Sequence, residues 1–254
     1  MDFIFLGTGA ADFPFPFPED RFDDNARRSS SVLFCGNTLF DCGVHTLKSL
    51  EILKKPLNEI ENIFISHTHM DHFSIENIEK IAKSRTKPLN LYVNKGATAN
   101  FETPENVNLT EMVPFTKYEL EDFAITGLPA NHDSKSFPQH FVCEKDGKKF
   151  FYGLDGGWLL HESYYFLKDK KLNLMILDST SGDYEGDYRM GEHNSIPMIR
   201  LMLASFKTFK VIDENSKIVL SHIAPSLHKP HSETAEIAEK FGAIAAFDGM
   251  ELSI

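Results

Sequence analysis

Short apolar runs recur along the chain, separated by glycine and polar turns, and their period alternates between two and about three and a half residues. Residues 3–6 read as a first strand ending in the turn Gly7-Thr8-Gly9, whose glycines would permit positive φ or close backbone approach. Residues 32–34 and 38–40 flank Cys35-Gly36-Asn37 as a hairpin, and 141–144 and 149–152 flank Asp146-Gly147 as a second, with a type I′ turn signal. Further strands are predicted at 62–65, 89–93, 123–128, 172–177, 217–220, 243–247 and 250–253. Helical spacing is seen over 46–54 and in Ile75, Ile78, Ile81 and Ala82, with Ser74 as N-cap. It returns over 159–167, in Ile196, Ile199, Leu203 and Phe206, and from an N-cap at Ser232 to Phe241, with Gly242 closing the helix. Residues 94–114 show no clear period. Strands alternating with helices, plus two hairpins, predict an α/β fold with two mixed sheets face to face and helices outside.

A length of 254 residues, 42% hydrophobic and without a long charged or Gly/Ser-rich linker, predicts a single domain over 1–254. Pro14, Pro16 and Pro18 interleave with Phe13, Phe15 and Phe17, followed by Phe22; residues 11–28 should therefore form an extended loop and no helix. Its rings are expected to pack on the domain or on a second subunit of a homodimer, with a lid over substrate as the sharper alternative. The net charge of −11 and pI near 5.4 make nucleic acid a poor substrate. An acidic second residue and a short apolar start predict no signal peptide, and no stretch reaches membrane-spanning length. Cys35, Cys42 and Cys143 form no C-x-x-C pair, so free thiols in a reducing compartment are expected, the cytoplasm by default.

Chemistry concentrates in Ser66-His67-Thr68-His69-Met70-Asp71-His72. Imidazole and carboxylate are ligands for Zn, Fe and Mn. His67 and His69 project to one side of an extended segment, while Asp71 and His72 lie beyond the bend, where they can serve a second position. The spacing therefore suggests two metals, against the alternative of a solvated His-rich loop. Elsewhere single residues are ambiguous. His132 at a strand end is more often structural, Asp155 before Gly156-Gly157 reads equally as a turn residue, and His193 falls at a helix entrance. His228 and His231 read as surface residues, and Arg27, Arg28 and Ser29 to Ser31 as a solvated surface in preference to a phosphate contact.

The motif H-x-H-x-D-H at the end of a strand resembles the signature of the metallo-β-lactamase fold hydrolases. Further pieces narrow the likeness: Phe5-Leu6-Gly7-Thr8-Gly9, Phe40-Asp41-Cys42-Gly43-Val44-His45, Asn131-His132, Leu154-Asp155, His193-Asn194, Leu220-Ser221-His222-Ile223 and Phe247-Asp248-Gly249-Met250-Glu251. Together they resemble the phosphoribosyl 1,2-cyclic phosphate phosphodiesterases of phosphonate breakdown, nearly end to end. The resemblance implies a four-layer αββα sandwich with two mixed sheets. It implies that His67, His69 and His132 hold one metal, that Asp71, His72 and His222 hold a second, and that Asp155 bridges them. Asp41 would orient a ligand from behind, Asp71 and His193 would be the catalytic residues, and His193 would protonate the leaving group. The cofactors implied are two divalent transition-metal ions, Mn favoured and Zn or Fe admissible. The reaction implied is attack of a metal-bridging hydroxide on a small cyclic sugar phosphodiester. Some relatives carry a structural zinc on cysteines near the N-terminus; with no cysteine in residues 1–34, no such third metal is expected. Competing readings are ribonuclease Z, disfavoured by net charge and by the lack of a basic tRNA-clamping arm, a thioesterase or lactonase of the same fold, and a non-catalytic metal-binding protein.

Overall fold

The computed structural model describes residues 1–12 and 17–254. Expectations attached to Phe13, Pro14, Phe15 and Pro16 lie outside the described residues. In chain order the strands and helices are β1 (Asp2–Gly7), β2 (Ser31–Phe34), β3 (Thr38–Phe40), α1 (Thr46–Ile52), β4 (Asn62–Phe64), α2 (Ile75–Lys83), β5 (Leu89–Asn94) and β6 (Val107–Met112). They continue as β7 (Lys117–Glu119), β8 (Ala124–Pro129), β9 (Gln139–Lys145), β10 (Lys148–Gly153), α3 (His161–Leu167), β11 (Leu174–Asp178), α4 (Ile196–Thr208), β12 (Lys217–Ser221), α5 (His231–Glu239), β13 (Ala243–Ala245) and β14 (Glu251–Ser253).

Two seven-stranded sheets result, in the orders β14-β1-β2-β3-β4-β5-β6 and β13-β12-β11-β10-β9-β8-β7. Each is antiparallel at one side and parallel at the other, with β3 to β6 parallel in the first and β10 to β13 in the second. Strand alternation sorts the side chains into layers. Phe3, Phe5, Phe34, Phe40 and Phe64 of the first sheet meet Phe141, Phe150 and Tyr152 of the second in the central core. Edge-to-face contacts, such as Phe3 to Phe150 at 4.9 Å between ring centroids, lock this layer. The residues between them in sequence face outward: Leu6, Leu33 and Ile63 under α1 and α2, and Val142, Phe151 and Met175 under α3, α4 and α5. This is the expected αββα sandwich, and both predicted hairpins are present, with positive φ at Cys35 and Gly36 and at Asp146 and Gly147.

The departures have physical causes. The 94–114 stretch holds β6, where three residues are partly buried, two exposed and one, Met112, fully buried, so no clear alternation results; β7, Lys-Tyr-Glu, is too short and too exposed to give one. The last two strands enter different sheets, linked by a turn through Gly249 at φ +86°. Helix α5 starts at His231, not after Ser232, because Pro230 occupies the cap position and the His231 N–H is taken by Asn25 Oδ1 from a distant loop. Gly7 and Gly9 keep negative φ; their missing Cβ atoms admit the backbone of Arg27 to Ser29, since a Cβ at Gly7 would lie 2.0 Å from Ser29 O.

Arg27, Arg28 and Ser29 to Ser31 are buried, correcting the solvated surface expected of them. Both arginines serve the turn before β14. Asp248 accepts from Thr8 N, Thr8 Oγ1 and Arg28 N, with the Arg28 guanidinium 3.8 Å away, and burial pushes its carboxyl up to about 6. The described part of the Phe/Pro-rich loop packs down on the domain. Phe17 lies against His45, and Phe17 and Phe22 lie against the Arg28 guanidinium. His228 and His231 are also partly buried, contrary to expectation: His228 Nε2 donates to Ser179 O, and His231 pairs with Arg27.

Candidate metal centre

The C-terminal ends of β4, β8, β10, β11 and β12 converge, as parallel strand ends in α/β sheets do. After β4 comes the loop from Ser66 to His72, after β8 His132, after β10 Asp155, at the end of β11 Asp178, and after β12 His222. Asp41, Asp155 and His222 hold positive φ of 64°, 49° and 53°. A left-handed conformation in a non-glycine residue costs on the order of 1–3 kcal/mol, so the surrounding hydrogen bonds must hold these turns in place. The backbone of the histidine loop is seated against Gly43, where an added Cβ would lie 1.8 Å from Asp71 O.

The seven candidate ligands come together in two donor groups joined by a carboxylate, and the eighth candidate, His193, lies beside them. In the first, His67 Nε2 lies 3.0 Å from His69 Nδ1, which lies 3.2 Å from His132 Nε2. In the second, His72 Nε2 lies 3.1 Å from His222 Nε2 and 3.2 Å from Asp71 Oδ2. Donors held about 2.1 Å from one ion are separated by roughly 3.0–3.4 Å, which is this spacing. Asp155 stands between the groups: its Oδ2 contacts His72 Nε2, lies 3.0 Å from His222 Nε2 and lies 3.8 Å from His67 Nε2.

The hydrogen bonds behind these rings fix their tautomers. His72 Nδ1 lies 2.8 Å from Asp41 Oδ2, a carboxylate that also accepts from Ser66 N, Ser66 Oγ and Tyr152 Oη. Ser66 Oγ, its proton given to Asp41, accepts from His67 Nδ1 at 3.0 Å. Thr180 Oγ1, its proton given to Asp178, accepts from His222 Nδ1 at 2.7 Å. The inward nitrogens of His67, His72 and His222 therefore present lone pairs to one another, an arrangement that repels unless a cation or proton lies between them. Asp155 Oδ2 is buried without a hydrogen-bond partner. Burial opposes the charge on Asp155, yet the rings of His222, His72 and His67 hold its carboxyl well below the usual range. Burial likewise opposes charge on His222, and the Asp155 carboxylate outweighs it, raising that imidazole to about 10. The pocket thus favours positive charge, which divalent ions would supply in place of protons. The nitrogen and oxygen donor set fits Zn, Mn or Fe.

His193 belongs to neither of these two groups, although its donors lie within metal-binding reach of Asp155, Asp178 and His222 and of His132 and Glu192. Its Nδ1 lies 2.8 Å from Asp178 Oδ2 and 3.2 Å from Asp155 Oδ1, and its ring stacks on His222. Asp178 and Thr180 were not singled out from the sequence. The available signal was positional: Asp178 ends an apolar strand in the same way as Asp155 and His222. Tyr152, placed in the core by its period, also braces Asp41. The described acidic neighbours Asp133 and Glu192 approach His69 and His132 from the solvent side, at 3.6 and 3.9 Å.

Known proteins carry related sequences and folds. Over 125 residues the chain is 38% identical to a ribonuclease Z of Methanococcus maripaludis strain C7, a match covering 47% of this chain and 38% of that protein. The chain spans at most about half the length of such curated relatives. Human tRNase Z, short form, superposes with a TM-score of 0.70 at 23% identity, covering 100% of this chain and 99% of that one. A diphosphatase of the PhnP family superposes with a TM-score of 0.72 at 17% identity, covering 99% and 96%. Residues 36–223, from the first hairpin through the strand-end histidines, match the beta-lactamase superfamily domain, and the chain belongs to that superfamily.

Proposed function

We propose that the protein is a metal-dependent phosphodiester hydrolase acting on small phosphodiesters, with a cyclic sugar phosphate as the favoured class. The observation that carries this reading is a pair of donor groups with Asp155 between them, and an imidazole, His193, held beside them by a buried carboxylate. In this reading one domain, residues 1–254, carries the whole site. His67, His69 and His132 hold one divalent ion; Asp71, His72 and His222 hold the other; Asp155 bridges them. Manganese is favoured, with zinc and iron admissible. Such a pair supplies charge for phosphoryl oxygens and a water acidic enough to attack near neutral pH. Asp41, Ser66 and Thr180 keep the ligand imidazoles in their inward-facing tautomers. His193, its Nδ1–H given to Asp178, presents Nε2 for the proton that the departing oxygen needs.

A second reading is ribonuclease Z, supported by relatives of that name at 30–38% identity over about half the chain. It weighs against the expectation that nucleic acid is a poor substrate. The test is metal analysis combined with a substrate panel of bis-p-nitrophenyl phosphate, ribose 1,2-cyclic phosphate, precursor tRNA, a lactone and a thioester. About two ions per chain with turnover of the diesters is expected. One ion per chain at full activity would remove the bridging role of Asp155, and turnover confined to the lactone or thioester would remove the phosphodiesterase reading.

A further inference from the structure

Beyond the metal centre, a cavity of about 290 Å³ opens between the segment carrying Asn25 and Arg27 and the loop from Ile223 to the start of α5. Its polar walls are Asn25, Arg27, His228, Lys229 and His231, and among the described residues none that lines it is a carboxylate. In a chain of net charge −11 this is a local reversal of sign. Arg27 is almost fully buried; its Nη1 donates to Thr8 Oγ1 and Ala246 O, and its Nη2 lies 3.0 Å from His231 Nδ1. A guanidinium can only donate, so His231 Nδ1 accepts and the remaining ring N–H of His231 is at Nε2. Burial lowers Arg27 to about 10 against the pull of Asp248 and Asp24, and burial together with the Arg27 charge lowers His231. Neither of those aspartates lines the cavity.

The N-terminus of the nine-residue α5 faces the same cavity, with Pro230 at the cap position lining it; in that first turn the His231 N–H is given to Asn25 Oδ1, the Thr234 N–H to Pro230 O, and Glu233 is acidic but does not line the cavity. A helix end alone would mean little; here it coincides with a cavity walled by a buried guanidinium, an ammonium and an imidazole.

We propose that this cavity binds a tetrahedral oxyanion, either inorganic phosphate or the phosphoryl group of a small ester, held by Lys229 and His231 against the Arg27 guanidinium. The site is separate from the hydrolytic centre and does not depend on how that centre is read. His222 directly precedes the cavity-lining Ile223, so an anion seated here would brace the loop that follows a metal-site residue.

The test is calorimetric titration of the metal-loaded protein with inorganic phosphate and, separately, with ribose 5-phosphate. The double variant Lys229→Ala/His231→Ala, which spares buried Arg27, should lose one class of binding site, weakened about tenfold or more, as expected when charge-assisted contacts are removed. Lys229→Arg should retain it, and phosphodiester hydrolysis should be unchanged in both variants. Because phosphate also binds metals, a second readout assigns the location: phosphate should slow acylation of Lys229 but not of Lys210. Tighter binding of ribose 5-phosphate identifies an ester as the ligand, and equal binding identifies the free ion; either supports the site. Identical isotherms for the wild type and the double variant, with Lys229 acylation indifferent to phosphate, would overturn it.

Discussion

His193 can be tested apart from the two proposed ligand groups: Asp178 holds its Nδ1 at 2.8 Å, and because its donors also lie within reach of Asp155, His222 and His132, metal content is measured alongside activity. A sugar alkoxide leaves only with a proton, whereas p-nitrophenolate leaves readily without one. General acid catalysis contributes about 10²- to 10⁴-fold, so His193→Ala should lose that much on a cyclic sugar phosphate and far less on a p-nitrophenyl diester, with metal content unchanged. Equal losses on both substrates, or a loss that follows missing metal, would make His193 a structural residue. A second residue sets a pH dependence of stability. His228, its Nε2–H given to Ser179 O, is lowered by burial to about 4 against the ordinary 6.5. The unfolded chain therefore takes up this proton more readily than the folded one. The contribution is intact above pH 6.5 and is lost as pH falls from 6.5 towards 4, by up to about 3 kcal/mol. His228→Gln should flatten the unfolding free energy across that window, and an unchanged slope would remove His228 as its source.

At the scale of elements, the histidine loop is positioned from behind by the β3–α1 connection. Gly43 has no room for a side chain against Asp71 O, and Asn77 of α2 donates to Gly43 O. Gly43→Ala should push the Asp71 backbone outward and lower occupancy of the Asp71, His72 and His222 group while the fold survives. Metal stoichiometry falling from about two towards one per chain, with circular dichroism unchanged, is the expected result; full occupancy with full activity would show that the loop adapts. Such contacts explain what the sequence could and could not convey. The hairpin at Asp146-Gly147, the Ser74 cap and the apolar face of α4 depend on local chemistry and are where the pattern predicts them. The histidine cluster was legible because its spacing is itself the chemistry. Arg27, Arg28 and His228 were misread as surface because their partners, such as Asp248 and Ser179, are far away in sequence. Asp178 was overlooked for the same reason: its importance comes from the strand order, which sets β11 between β10 and β12.

For the whole molecule, the deciding property is charge against substrate size. A polyanion gains affinity by releasing counterions to a basic surface, and log affinity then falls steeply with log salt. A chain of net charge −11 offers little of that gain overall, while the buried cleft would meet an anion only at the proposed metal pair. Small diesters require no extended basic surface; precursor tRNA does. Hydrolysis of ribose 1,2-cyclic phosphate should therefore exceed processing of precursor tRNA and change little between 50 and 200 mM salt, where a protein contacting about 6–10 phosphates would lose roughly 10³- to 10⁵-fold in affinity. The comparison is made with one preparation, so metal loading is common to both substrates. Efficient 3′-end cleavage of precursor tRNA with a steep salt slope would show a local basic surface strong enough to overcome the net charge, and would transfer the assignment to ribonuclease Z.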